Sequence, residues 1–205
     1  MPVKIKICGL TNLPDALAAL EAGADALGFM FYAPSPRHIT SAQAAEIIRA
    51  LPPFVTKVGV FVNSPAEIIR ATLAECALDV LQFHGDESPA DCRRFGRPAI
   101  KAFRVRDAES LRALPAYAQE TWLLDSFVPG APGGTGTRFN WELAAAARER
   151  GGRIILAGGL TAENVAAAVR QVRPYAVDVS SGVESAPGQK DARRLREFIT
   201  QARGA

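Results

Sequence analysis

Eight times along this chain a short β-branched apolar run gives way to a longer amphipathic stretch. The runs are Val3–Cys8, Ala26–Phe31, Thr56–Phe61, Val80–Phe83, Ala99–Phe103, Trp122–Asp125, Ile154–Ala157 and Ala176–Ser180. A helix after each strand makes successive strands parallel, because the chain must cross back over the sheet before it can pair again. Eight such units in 205 residues average about 26 residues each, near the smallest size at which a (β/α)8 barrel closes. An open doubly wound sheet alternates in the same way but commonly carries about six strands, so the count favours closure. The expectation is α/β: a single (β/α)8 TIM barrel over residues 1–205, without a linker. The loosest segment, Ser126–Thr137, lies between a strand and a helix.

Helix starts are legible between the runs. Asn12 precedes Leu13-Pro14, Ser41 precedes an alanine-rich apolar pattern, and Ser64 precedes Pro65, each placing a capping side chain ahead of helix formers. Glu67, three residues after Ser64, would complete a capping box. Ser88-Pro89, Asp107, Asn140, Thr161 and Asp191 can open the remaining helices.

Composition narrows the function classes. Apolar residues make up 48% and charged residues 22%, a globular mix with enough chain to bury a core. The net charge of +3, without a long single-sign run, is too mild for nucleic-acid binding but would suit a phosphorylated small molecule. The start MPVKIKICGL lacks a signal-peptide layout and no apolar span approaches 18 residues, so neither secretion nor a membrane partner is expected. The odd set Cys8, Cys76 and Cys92, without a CxxC pair, points to reduced thiols in the cytoplasm. With His38 and His84 as the only histidines, neither a metal cluster nor a Ser-His-Asp triad is evident.

In a barrel of this kind, chemistry gathers at the carboxyl ends of the strands. Gly158-Gly159 follow the seventh strand ahead of a helix start, and Ser180-Ser181 follow the eighth. Glycines let backbone approach an anion, and a helix amino terminus offers free N–H groups, so the paired loops read as a phosphate site; the alternative is that they only turn the chain. Cys8 ends the first strand with Lys6 on the same side. An ammonium there would favour the thiolate, unless Lys6 instead bonds a carboxylate such as Asp178, or Cys8 is merely a small buried hydrophobe. Asp125 ends the sixth strand after apolar neighbours; burial would let it carry a proton, the lesser alternative being a cap on the following loop. Coming from distant strands, Cys8 and Asp125 can face one another across the mouth, which suits moving a proton. Arg37 could grip a planar carboxylate through two hydrogen bonds or be a solvated loop residue. His84 could orient a ligand or serve structurally.

These residues, in this order, resemble the phosphoribosylanthranilate isomerase family of tryptophan biosynthesis. The similarity runs through Lys6-Ile7-Cys8-Gly9-Leu10-Thr11, Ser35-Pro36-Arg37, Val60-Phe61-Val62-Asn63, Gln82-Phe83-His84-Gly85, Leu124-Asp125-Ser126, Gly133-Gly134-Thr135-Gly136, Leu156-Ala157-Gly158-Gly159-Leu160 and Val177-Asp178-Val179-Ser180-Ser181-Gly182-Val183-Glu184. KICG and VDVSSGVE are the specific motifs. The resemblance implies an Amadori rearrangement of phosphoribosylanthranilate without a metal or organic cofactor, by a catalytic domain that is a monomer or a homodimer. It implies Asp125 as general acid, Cys8 as general base, Arg37 on the substrate carboxylate, and Gly134, Gly158, Gly159, Ser180 and Ser181 on the phosphate. Lys6, His84 and Asp178 would support them.

Three other readings compete. A related aminoaldose isomerase would use a similar rearrangement. A phosphate-barrel lyase of the indole-glycerol-phosphate synthase type wants a lysine acid and paired glutamates at strand ends, where this chain has only Lys101 in its fifth strand. A non-catalytic phosphate-binding module would leave the pairing of Cys8 with Asp125 unexplained.

Overall fold

Eight parallel strands close in chain order, each bonded to the next and the last to the first. They are β1 (Lys4–Cys8), β2 (Ala26–Met30), β3 (Thr56–Phe61), β4 (Val80–Phe83), β5 (Ala99–Val105), β6 (Thr121–Ser126), β7 (Ile154–Leu156) and β8 (Ala176–Val179). The computed structural model describes residues 2–118, 120–126 and 141–205. Most of Ser126–Thr137 and the expected cap Asn140 lie outside them. Each expected strand is found, with ends moved by a residue or two.

Strand alternation builds two cores. Inward residues Val58, Ile100, Ala102, Leu123, Ile155, Ala157 and Ala176 fill the barrel, while their outward neighbours pack under the helices. Ile5, Ile7, Leu27, Phe29, Leu81, Phe83, Leu124 and Val177 are fully buried on that outer side. A fully buried side chain of this kind contributes roughly 1.5–3 kcal/mol, and this double lining stabilises a barrel built from such short strands. Closure pairs Lys6 with Asp178 in register between β1 and β8. Their side chains meet inside the barrel, with Lys6 Nζ 2.8 Å from Asp178 Oδ1.

The surrounding helices are α1 (Leu13–Glu21), α2 (Ser41–Ala50), α3 (Ala66–Glu75), α4 (Pro89–Arg93), α5 (Trp141–Arg148), α6 (Val165–Val172) and α7 (Ala192–Arg203), with a 3-10 helix at Glu109–Tyr117. Asn12, Ser88 and Asp191 cap α1, α4 and α7 as expected. At α2 the cap is Thr40, which forms a capping box with Gln43, and Ser41 is already helical. At α3 the helix begins after Pro65 with no side-chain cap, so the expected box between Ser64 and Glu67 does not form. Before α6 the chain turns first: Asn164 Oδ1 accepts from the Thr161 backbone N–H, and Val165 begins the helix. Asp107 accepts from the Ser110 N–H at 3.0 Å, but the segment it opens winds as a 3-10 helix. Pro115 lies inside that segment and has no N–H for an α-helical bond.

A small antiparallel hairpin, β9 (Glu184–Ala186) and β10 (Gln189–Lys190), follows β8 and was not anticipated. Its turn holds Pro187 and Gly188, the latter at φ 79°, a signal visible in the sequence. It carries two charged side chains back to the barrel mouth.

Candidate active site

A cavity of about 290 Å3 opens at the carboxyl ends of the strands. Cys8, Arg37, His84, Asp125, Gly158, Gly159, Asp178, Ser180 and Ser181 all line it. The sequence-derived candidates therefore converge from six separate strand ends. Lys6 sits one inward position deeper on β1, and Gly134 lies outside the described residues. Met30, Tyr32, Val62 and Leu160 add apolar wall suited to a flat ring.

Cys8 is buried and close to three charges. Burial pushes its thiol pKa up; the Lys6 ammonium pulls the other way, as does Lys190 more weakly, but they do not win. Lys6 is itself held above its ordinary value: burial would lower it, and Asp178 with Cys8 outweighs that. The ammonium thus does both things the sequence allowed, bonding Asp178 and favouring the thiolate, yet desolvation decides the direction. The thiol has room because residue 28 is glycine. A Cβ at Gly28 would stand 2.8 Å from Cys8 Sγ.

Asp125, on β6, is 5% exposed. Its Oδ2 lies 3.4 Å from His84 Nε2, while Oδ1 is buried with no hydrogen-bond partner among the described residues. His84 Nδ1 in turn lies 3.0 Å from Gln82 Nε2. The loop that Asp125 could instead cap, residues 127–140, lies outside the described residues.

Arg37 is not a solvated loop residue. Its Nε and Nη2 donate to the two oxygens of Glu184 at 2.8 and 2.7 Å. The hydrogen bonds from Arg37 to Glu184 raise the guanidinium pKa further. Burial would raise the Glu184 carboxyl, but Arg37 and Lys190 together hold it below its usual value. Lys190 Nζ sits 2.8 Å from Glu184 Oε1 and 3.2 Å from the Ser180 carbonyl oxygen, and burial lowers its pKa in spite of Glu184. Glu184, although part of the VDVSSGVE motif, and Lys190 were given no role from the sequence, because charged residues near a Pro-Gly turn usually face solvent.

The two loops expected to hold an anion have suitable backbones. Gly158 and Gly159 take consecutive positive φ angles of 82° and 65°, a course that side chains disfavour, and lead toward the amino end of α6. Ser180 and Ser181 form the facing turn. Lys101, the lysine a lyase would need, points away from the cavity and donates to Glu87 Oε2 and the Gly85 carbonyl oxygen. Among the described residues, no group of three or more His, Cys, Asp or Glu side chains could hold a metal ion. No helix among them is long and apolar enough to cross a membrane.

The chain is similar to known proteins in sequence and fold. The family model for N-(5'phosphoribosyl)anthranilate (PRA) isomerase matches residues 5–201. The N-(5'-phosphoribosyl)anthranilate isomerase of Pelobacter propionicus is 56% identical over 201 residues, which is 98% of this chain and 96% of that protein. The crystal structure of phosphoribosyl anthranilate isomerase from Thermotoga maritima superposes with a TM-score of 0.94 at 43% identity, covering 99% of this chain and 100% of the other. A solved phosphoribosyl anthranilate isomerase in complex with reduced 1-(o-carboxyphenylamino)-1-deoxyribulose 5-phosphate superposes at 0.90 with 42% identity, covering 99% and 100% of the two chains. With the similarity running from the first strand into the last helix, this chain belongs to the N-(5'-phosphoribosyl)anthranilate isomerase family.

Proposed function

We propose that the chain catalyses the Amadori rearrangement of N-(5'-phosphoribosyl)anthranilate to 1-(2-carboxyphenylamino)-1-deoxyribulose 5-phosphate in tryptophan biosynthesis, with Asp125 as general acid and Cys8 as general base. The observation that carries this assignment of roles is that both residues line one cavity together with Gly158, Gly159, Ser180 and Ser181. Residues 1–205 act together as one catalytic domain.

In this reading the phosphate rests on the backbone of Gly158, Gly159, Ser180 and Ser181, joined by Gly134. That anchor leaves the sugar ring between the acid and the base. Asp125 gives its proton to the ring oxygen, the adjacent C–O bond breaks, and the nitrogen lone pair forms an iminium. Cys8, as thiolate, removes the proton from the neighbouring sugar carbon. The electron pair moves toward the iminium nitrogen, giving an enolamine that ketonises when a proton returns to the first carbon. The substrate's own nitrogen is the electron sink, so the sequence of steps requires no cofactor.

Arg37 holds the anthranilate carboxylate. Because Glu184 takes the Nε–Nη2 edge, the contact falls to the end-on edge of Nη1 and Nη2, whose remaining N–H groups have no other partner among the described residues. His84 and Asp178 support the acid and the base respectively, the latter through Lys6. Every named side chain comes from one copy of the chain, so the site is complete in a monomer and is duplicated in a homodimer. Free Cys8, Cys76 and Cys92 thiols suit the reducing cytoplasm.

The test is fluorescence-monitored consumption of freshly made phosphoribosylanthranilate by wild type, Cys8→Ser and Asp125→Asn. Each variant is expected to lose about a hundredfold or more in turnover while still binding the product. Near-normal turnover by either one removes that residue from its role.

A further inference from the structure

Strand β4 sends Gln82 and His84 to the same face, two residues apart, into the barrel mouth. Gln82 is only 1% exposed, a burial at which leucine or methionine could pack without leaving an amide to satisfy. Its Nε2 meets His84 Nδ1 at 3.0 Å, and the opposite ring nitrogen, Nε2, faces Asp125 Oδ2 at 3.4 Å. Two buried oxygens in this chain of contacts lack hydrogen-bond partners among the described residues: Gln82 Oε1 and Asp125 Oδ1.

We propose that Gln82 is a positioning residue: its amide fixes the tautomer of His84 and thereby the oxygen on which Asp125 carries its proton. The inference rests on the acid role proposed above for Asp125. An amide nitrogen only donates, so His84 Nδ1 must accept, and a neutral ring then carries its hydrogen on Nε2. Asp125 Oδ2 stands 3.4 Å from that nitrogen, within reach of its hydrogen. A carboxyl group accepting there keeps its own proton on Oδ1, a buried oxygen without a hydrogen-bond partner among the described residues. The proton is then left to be given up rather than spent on the ring. As it leaves, charge develops on the carboxylate and the 3.4 Å contact at Oδ2 tightens into a charge-assisted bond.

The reverse amide orientation has the opposite consequence. Gln82 Oε1 facing Nδ1 would demand a hydrogen on Nδ1 and leave Nε2 bare. The Asp125 proton would then turn to Oδ2 and be shared with the ring. A single amide thus selects between an acid whose proton is left free and one whose proton is held by the His84 ring.

Two-bond 1H–15N correlation spectra of the intact protein test this directly, because His84 shares the spectrum only with His38. A His38→Gln variant makes the assignment. The expected wild-type spectrum shows His84 Nδ1 as a bare, pyridine-like nitrogen and Nε2 as the protonated one. Gln82→Met is expected to shift both nitrogens toward a mixed-tautomer average and to lower kcat about tenfold with KM changed less than about twofold. Gln82→Glu, whose carboxylate accepts, is expected to bring a hydrogen onto Nδ1. A wild-type His84 protonated on Nδ1 overturns the proposal, as do unmoved His84 shifts in Gln82→Met whatever kcat does. Failure of the acid role itself reads out separately, as normal turnover by Asp125→Asn with the wild-type tautomer unchanged.

Discussion

Arg37 turns one edge of its guanidinium onto Glu184, with both carboxylate oxygens engaged at 2.8 and 2.7 Å. Lys190 backs the same carboxylate at 2.8 Å, so Glu184 is held between two cations in a largely desolvated corner. A guanidinium clamped in this way keeps a fixed plane and presents its outer edge to a ligand. The fork that could have taken a substrate carboxylate is thus used to aim the arginine.

The Glu184→Gln variant is expected to raise KM for phosphoribosylanthranilate about tenfold while kcat stays within about threefold, because aim rather than proton transfer is lost. Arg37→Ala is expected to cost about 1.5–3 kcal/mol in substrate binding, the scale of a charged hydrogen bond. Steady-state fluorescence kinetics measure both, and an unchanged KM in Arg37→Ala would reassign the carboxylate contact.

The Cys8 thiol is raised by burial and partly drawn back by Lys6. Alkylation of Cys8, followed by site-resolved mass spectrometry across pH, is expected to show a midpoint above the free-thiol value of about 8.5. In Lys6→Met the opposing ammonium is gone and the midpoint should climb further. A midpoint that stays put, or falls, would show that Lys6 does not act on the thiol.

Buried thiols also set a pH dependence of stability. Burial pushes Cys76 up to about 11 and Cys92 up to about 12. In the unfolded chain these groups ionise near pH 8.5, whereas the folded chain keeps its protons. A pKa raised on folding supports the folded state at lower pH, and that support fades as pH rises from about 8.5 toward the folded values. The urea midpoint is expected to fall between about pH 8.5 and 10.5, and to fall less steeply in Cys92→Ala. Identical slopes for the two proteins would count against the buried thiol as the source.

Gly28 faces Cys8 across β1 and β2, where a Cβ would come within 2.8 Å of the sulfur and 3.2 Å of its Cα. One of those atoms is backbone, so the clash is not relieved by a side-chain rotation alone. Gly28→Ala is expected to cut kcat by about tenfold or more and to destabilise the protein by about 1–3 kcal/mol. Wild-type turnover in this variant would mean that the sulfur position tolerates displacement.

Much of the architecture was legible as local pattern. The β-branched runs are strands because their inward and outward positions are both apolar, as a sheet covered on both faces requires. Cys8, Asp125 and the anion loops could be placed because each directly follows or ends such a run. Ser88 and Asp191 cap their helices because the cap and its N–H partners lie within three residues. Where local signals competed, the pattern misled. Ser64 lost to Pro65, and Thr40 with Gln43 formed the box at α2 instead of Ser41 capping it.

Periodicity and short motifs along the chain were enough for the barrel, its catalytic end, and the strand ends that carry Cys8 and Asp125, because these depend on spacing between near neighbours. The partners that tune those groups are not local. Glu184 reaches Arg37 across 147 residues of sequence, Asp178 reaches Lys6 across 172, and His84 meets Asp125 only because β4 and β6 bend round one axis. Closure of the ring brings these charges together and takes them out of water. Desolvation and pairing, which set the proton affinities of the site, exist only once that ring is closed.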